Sequence, residues 1–214
     1  MINLYMIVLS ILFGIGYAND TIIQVVKLAS AKNDIFKLSY YFSKLTLINR
    51  FSIALFMPLL GYFIDTQNNF EVYKLLIILL ILGLLLVLLF YLIFGGIILR
   101  YFNIPFFKPS FHLNDKLILV PLLANLFLLM GALFPIFISG LFNDFRATSM
   151  QTGIVFNFIG TLLLTFIIDK KIAKVSEETN ESSHKTYSDI LYSAKIYAVI
   201  ISFIVTLICF FVFT

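Results

Sequence analysis

Tryptophan is absent, cysteine occurs once, histidine twice, and charged residues make up only 12% of the 214-residue chain. Each scarcity excludes something. A single cysteine, Cys209, allows no disulfide within the chain, and with two separated histidines, His112 and His184, it offers no metal-ligand spacing. No metal and no cofactor are therefore expected. The phosphate-loop pattern GxxxxGK(S/T) is missing, so ATP hydrolysis by this chain alone is not expected. Neither HExxH, nor a paired-carboxylate box, nor a Ser/His/Asp set, nor the clustered aspartates of phosphatidyl-transfer enzymes occurs. No catalytic residue is assigned, and a transporter is favoured over an enzyme. No cleavable leader is evident: the first apolar run starts at Ile2 with no basic segment ahead of it and no small-residue cleavage site before Asn19 and Asp20.

What is present is apolar. Hydrophobic residues reach 61%, against about 45–50% in a soluble domain, and mean hydropathy is +1.04. A helix needs about 20 largely apolar residues to cross a bilayer core. Six runs qualify: Ile2–Leu28, Leu38–Ile64, Tyr73–Leu99, Leu117–Phe142, Met150–Ile168 and Ile190–Phe213. In lipid the backbone must satisfy its own hydrogen bonds, so these runs are helices; a barrel would need many alternating strands of about ten residues. The expected fold is all-α, a polytopic protein with six transmembrane helices. It forms a single integral membrane domain over residues 1–214, with residues 169–189 as a mobile cytoplasmic linker within it.

The basic residues account for the sequence pI of about 9.1 without invoking nucleic acid. Nine lie in the first, third and fifth connections: Lys32, Lys37, Arg100, Lys108, Lys116, Lys170, Lys171, Lys174 and Lys185. Only two, Lys74 and Arg146, lie on the opposite side. That bias puts the odd connections in the cytoplasm and both termini outside. Tyrosines near run ends, including Tyr5, Tyr62, Tyr73 and Tyr187, supply the interfacial belt that tryptophan usually shares.

Four basic residues remain within the runs: Lys27, Lys44, Arg50 and Lys195. Helix spacing places Asp20, Gln24 and Lys27 on one face of the first run. Ser39, Ser43, Thr46 and Arg50 share a face of the second, flanked by Lys44 and Asn49. Ser149, Gly153, Asn157 and Gly160 form a small-and-polar stripe on the fifth, and Lys195, Ser202, Thr206 and Cys209 share a face of the sixth. Asn125 stands in the fourth, between Pro121 and Pro135. The third run has no polar side chain from Leu75 to Leu89 and is expected at the periphery, facing lipid all round. Stripes of this kind often serve only helix packing, and lysines near run ends can snorkel to the interface. Arg50 is halfway along its run, where a charge costs about 2.5–3.5 kcal/mol on insertion scales. Two accounts stand: an ion pair with Asp20, or a solvated interior that binds anions.

The second run ends PLLGYFID and the fifth TLLLTFIID, with Arg50 and Arg146 upstream at unequal separations. Two three-helix halves of opposite orientation would leave such a trace. Three blocks carry a closer likeness: DTIIQVVKLAS (Asp20–Ser30), NRFSIALFMPLLGYFID (Asn49–Asp65) and FRATSMQTGIVFNFIGTLLLTFIIDKKIAK (Phe145–Lys174). They resemble the matching segments of the Amj, or alternate MurJ, family of lipid II flippases, and the likeness runs in order over most of the chain. Asp20 stands where that family carries a glutamate and Lys27 where it carries an arginine. Arg50, Pro58, Gly61, Asp65 and Arg146 match directly.

The resemblance implies a bacterial plasma-membrane protein whose partner is lipid II, the undecaprenyl-pyrophosphate-linked peptidoglycan precursor, moved from inner to outer leaflet. On that reading Arg50 holds the pyrophosphate with its planar fork. Lys27, Lys44 and Lys195 attract the headgroup on the cytoplasmic side, and Arg146 receives it near the outer face. Asp20 offsets the charge of the empty cavity or exchanges a proton during return, and Asn49, Gln24 and Asn157 complete the substrate-binding candidates. Six helices enclose little space for so large a headgroup, and a homodimer packed through the fifth-run stripe would relieve this. Membrane lipids would surround the whole. The alternatives left open are an exporter or channel for another anionic solute, a carrier of a related lipid-linked oligosaccharide, an enzyme acting on polyprenyl phosphate through Asp20, Asp65 or Asp144, and an assembly subunit.

Overall fold

The computed structural model describes residues 2–30, 35–66, 70–101, 116–142, 146–177 and 181–212, all but Phe142 of them helical. Lys32, Lys108, His112 and Asp144 lie outside this set. Helix α1 is Ile2–Ser30, α2 Ile35–Thr66 and α3 Phe70–Tyr101; a 3₁₀ turn at Lys116–Ile118 leads into α4, Leu119–Leu141. Helix α5, Arg146–Leu163, passes through a π-helical turn at Leu164–Ile168 into α6, Asp169–Glu177, and α7 is Glu181–Val212. Six stretches are long and apolar enough to cross a membrane: Leu4–Gln24, Lys44–Thr66, Phe70–Phe90, Leu119–Leu141, Gln151–Val175 and Ser182–Cys209. No strand occurs among the described residues. The chain is an all-α, multi-pass membrane protein.

The helices pair in the same pattern twice. Helix α1 packs along both α2 and α3, and α4 packs along both α5 and α7; α7 then joins the groups by touching α3 and α1. Apolar burial cannot drive this pairing in lipid, so close backbone approach must. At the α1–α3 seam, a Cβ built on Gly14 would stand 2.7 Å from the Gly83 carbonyl oxygen. The α4–α5 seam is made where Pro135 has no N–H to give the carbonyl of Gly131, four residues earlier. That carbonyl faces Gly153 of α5 so closely that a Cβ there would overlap it. Near one end of the bundle two tyrosines tie α2 to its neighbours: the Tyr5 hydroxyl donates to the Leu59 carbonyl and the Tyr73 hydroxyl to that of Ile64, each at 2.7 Å. The second of these satisfies one of the carbonyls that the last turn of α2 leaves open.

Three expectations need correction. Helix α3 does not face lipid all round: Leu76, Ile77, Leu80, Ile81, Leu84 and Leu88 are buried, while Leu75, Leu82, Leu86 and Leu89 are exposed. The peripheral span is instead Gln151–Val175, of which only 17% is buried. The small-residue stripe of α5 is occupied within the chain, because Gly153 and Gly160 face Gly131, Pro135, Leu128 and Ala124 of α4. It is therefore not free to pair with a second copy. Residues 169–177 and 181–189 are helical rather than a mobile loop. His184, Tyr187, Ser188 and Asp189 are buried in the first turns of α7, which at 32 residues and about 1.5 Å per residue outruns a hydrocarbon core of about 30 Å.

Gly14→Ala should therefore push α1 from α3 and lower stability by about 1–3 kcal/mol. Gly61→Ala, where a Cβ meets nothing within 4 Å, should be neutral or stabilise by up to about 1 kcal/mol. Thermal unfolding of the detergent-solubilised variants measures both; equal midpoints would show that the Gly14–Gly83 approach does not set the seam.

Candidate functional site

The C-terminal half of α1 carries Asn19, Asp20 and Gln24, polar groups that cannot face lipid and so turn toward the bundle. Helix α2 meets them with Asn49, whose Nδ2 donates to Asp20 Oδ1 at 2.6 Å, a short bond of the charge-assisted kind. Helix α7 brings Lys195, whose side chain is fully buried at 0% exposure and whose charge interacts with that of Asp20. The two are not in ion-pair contact. Lys195 Nζ has no hydrogen-bond partner among the described residues, and neither do Gln24 Oε1 or Asn49 Oδ1. Asn125 enters from α4, with its Nδ2 donating back to the Pro121 carbonyl at 2.8 Å.

Asp20, Gln24 and Asn125 line a small cavity closed by Leu164 and Ile168 of the π turn and by Leu191, one turn before Lys195. Its volume, about 10 Å³, is near the minimum for a single water. Four helices and a π turn thus bring an acid, an ammonium and three amides together in the interior of the bundle. The ammonium has three donors, none used by the described residues, and the Gln24 and Asn49 amides have spare acceptors. Such a set can take a small polar or anionic group without first breaking an ion pair.

The predicted site residues divide accordingly. Asp20, Gln24, Asn49 and Lys195 come together. Lys195 does not snorkel, because the middle of α7 is enclosed by the other helices. Lys44 is exposed on α2. Asn157 lies in the α4–α5 seam against Gly131. Lys27, Arg50 and Arg146 fall in α1, α2 and α5, but their side chains lie outside the described set. Asn125 was missing from the candidates, although a lone asparagine in an otherwise apolar run was the signal that could have found it. Among the described residues, the space that Asp20, Gln24 and Asn125 line is water-sized, and the hollow expected around Arg50 falls on side chains outside the described set. Comparison with protein families, curated proteins and solved structures finds no match for the chain.

Removing either charge should disturb the other. Asp20→Asn and Lys195→Met should each lower the unfolding temperature, and the double variant should lose less than the sum, with a coupling of about 0.5–3 kcal/mol. Strictly additive losses in a double-mutant cycle would show that the two groups do not interact.

Proposed function

We propose that this protein is a transporter for an anionic, lipid-linked substrate, and specifically a flippase for lipid II in the bacterial plasma membrane. The observation that supports it is the Asp20–Asn49–Lys195 cluster, a charged and incompletely hydrogen-bonded group inside a multi-pass bundle. Intramembrane ionisable groups are costly and usually mark substrate or ion pathways. The likeness of Asp20–Ser30, Asn49–Asp65 and Phe145–Lys174 to the Amj family narrows the substrate to an undecaprenyl pyrophosphate. Residue 50 follows Asn49, the residue bonded to Asp20, so an arginine there belongs to the segment of α2 that meets the cluster. The compact state around the cluster is read as a closed one, and passage of a headgroup requires α1 and α7 to part. With the odd connections in the cytoplasm, export of an anion gains about 2.3 kcal/mol per charge for each 100 mV of negative-inside potential.

In cells depleted of other lipid II flippases, the wild-type chain should restore growth and expose lipid II on the outer leaflet. Arg50→Ala should abolish rescue at unchanged membrane abundance. Arg50→Lys should be partly defective, because a point charge replaces a bidentate fork. Full rescue by Arg50→Ala removes the reading. Chemically altered lipid II would indicate an enzyme instead, and transport of a soluble anion without lipid dependence would indicate an exporter.

A further inference from the structure

A second, larger space opens beside the cluster. It is a groove of about 510 Å³ between the start of α4 and the π–α6 segment. One wall is apolar: Leu117 from the 3₁₀ turn and Val120 and Pro121 from the start of α4, with Phe166, Ile167 and Ile168 from the π turn. The other is polar: Lys170, Lys171 and Lys174 of α6 and the phenol of Tyr187. Leu117, Phe166 and Ile167 are exposed at 49%, 69% and 46%, and the last two lie within the Gln151–Val175 span, where exposure is to lipid. Among the described residues none of the three lysines is held in an ion pair. Asp169 lies close to Tyr187 but is not part of the lining.

We propose that this groove binds the phosphate headgroup of an anionic membrane lipid, with its chain along the Leu117–Phe166 wall. The lysine spacing fits: 170 and 174 are four apart and 171 and 174 three apart, so Lys174 can share one anion with either. The composition also selects an amphiphile. A free anion would gain nothing from six apolar lining residues, and a neutral lipid would leave three ammonium groups uncompensated. The site is separate from the Asp20 cluster and stands whether or not the cargo is lipid II.

Native mass spectrometry of the full chain tests it, with phosphatidylglycerol and phosphatidylcholine of matched chains as probes. The wild type should prefer the anionic lipid, and K170Q/K171Q/K174Q should weaken its binding by at least about tenfold, since each lysine near an anionic surface contributes measurably. The charge-preserving triple arginine variant should keep the preference, and so should K185Q, an exposed α7 lysine outside the groove. Undiminished binding in the triple glutamine variant, or equal loss in K185Q, overturns the site. Displacement of the lipid by inorganic phosphate at the same phosphate concentration overturns the lipid as occupant. A photoactivatable phosphatidylglycerol on the unmutated protein gives an arm independent of folding: labelling of residues 117–121 and 166–174 supports the groove, and labelling only elsewhere rejects it.

Discussion

The constraint on which the arrangement depends is that two ionisable side chains, Asp20 and Lys195, stand inside membrane-spanning stretches. A charge facing hydrocarbon costs about 2.5–3.5 kcal/mol even on the lenient scale, so neither α1 nor α7 can present that face to lipid. The two helices must adjoin, and others must cover them. Burial follows this demand: the spans containing Asp20 and Lys195 are 65% and 61% buried, whereas that of α5 is 17% buried. Asn49 reaches Asp20 from the α2 side, and Asn125 closes the α4 side. Desolvating such a pair is expensive, and full contact with complete hydrogen bonding would be needed to offset it. Lys195 has neither, so the cluster weakens the bundle locally while dictating which helices form its centre.

Stability must then come from the seams, where small residues act. In lipid, association rests on van der Waals contact and weak polar contacts between backbones. Gly14 against Gly83 and Gly153 against Gly131 bring two helix pairs within backbone distance. The second seam depends on a proline: with no N–H at Pro135, the Gly131 carbonyl is unclaimed within its helix and can accept a weak C–H contact from Gly153. Both seams lie outside the charged centre, so α1 and α4 each grip a partner on one side while touching the polar cluster on the other. The glycine seams are thus separate from the polar cluster, which joins α1 to α2 within one group as well as drawing in residues of the other.

Much of this was legible in the sequence, for a physical reason that also marks where reading failed. Run length and apolarity identify spans because backbone satisfaction in lipid leaves only helices. All six spans were found this way, as was the shared face of Asp20 and Gln24. Which apolar face is buried was not legible, because lipid and protein interior are equally apolar. Leu76 and Leu80 are buried while Leu75 and Leu82 are exposed, and no side-chain property distinguishes them. Lys195 read equally well as a snorkelling residue, since depth along a helix does not reveal what surrounds it. The start of α7 was mistaken for a loop because its serines and charges resemble a solvated linker, and the burial of His184 and Asp189 arises only from the tertiary fold.

The π turn shows how one local irregularity serves both spaces. Gly160, Leu164, Ile168 and Ile172 follow one another in steps of four and all face inward to some degree. At about 100° per residue a step of four overshoots a full turn by about 40°, so three steps would carry the row about 120° round an uninterrupted α-helix. One extra residue in a turn, which is what a π bulge contributes, takes back about 100° of that drift. The row therefore stays inward through Leu164–Ile168, and the intervening Phe166 and Ile167 face the groove. Leu164 and Ile168 line the polar cavity, and Ile168 lines the groove as well. The partition between the lysine-edged groove and the Asp20 cluster is therefore a single buried isoleucine, held in register by the π turn, with the Asn125–Pro121 hydrogen bond bracing the opposite wall. A regular α-helix through 164–168 would rotate that isoleucine out of the partition, so the separation of the two spaces is a property of the backbone turn rather than of side-chain bulk.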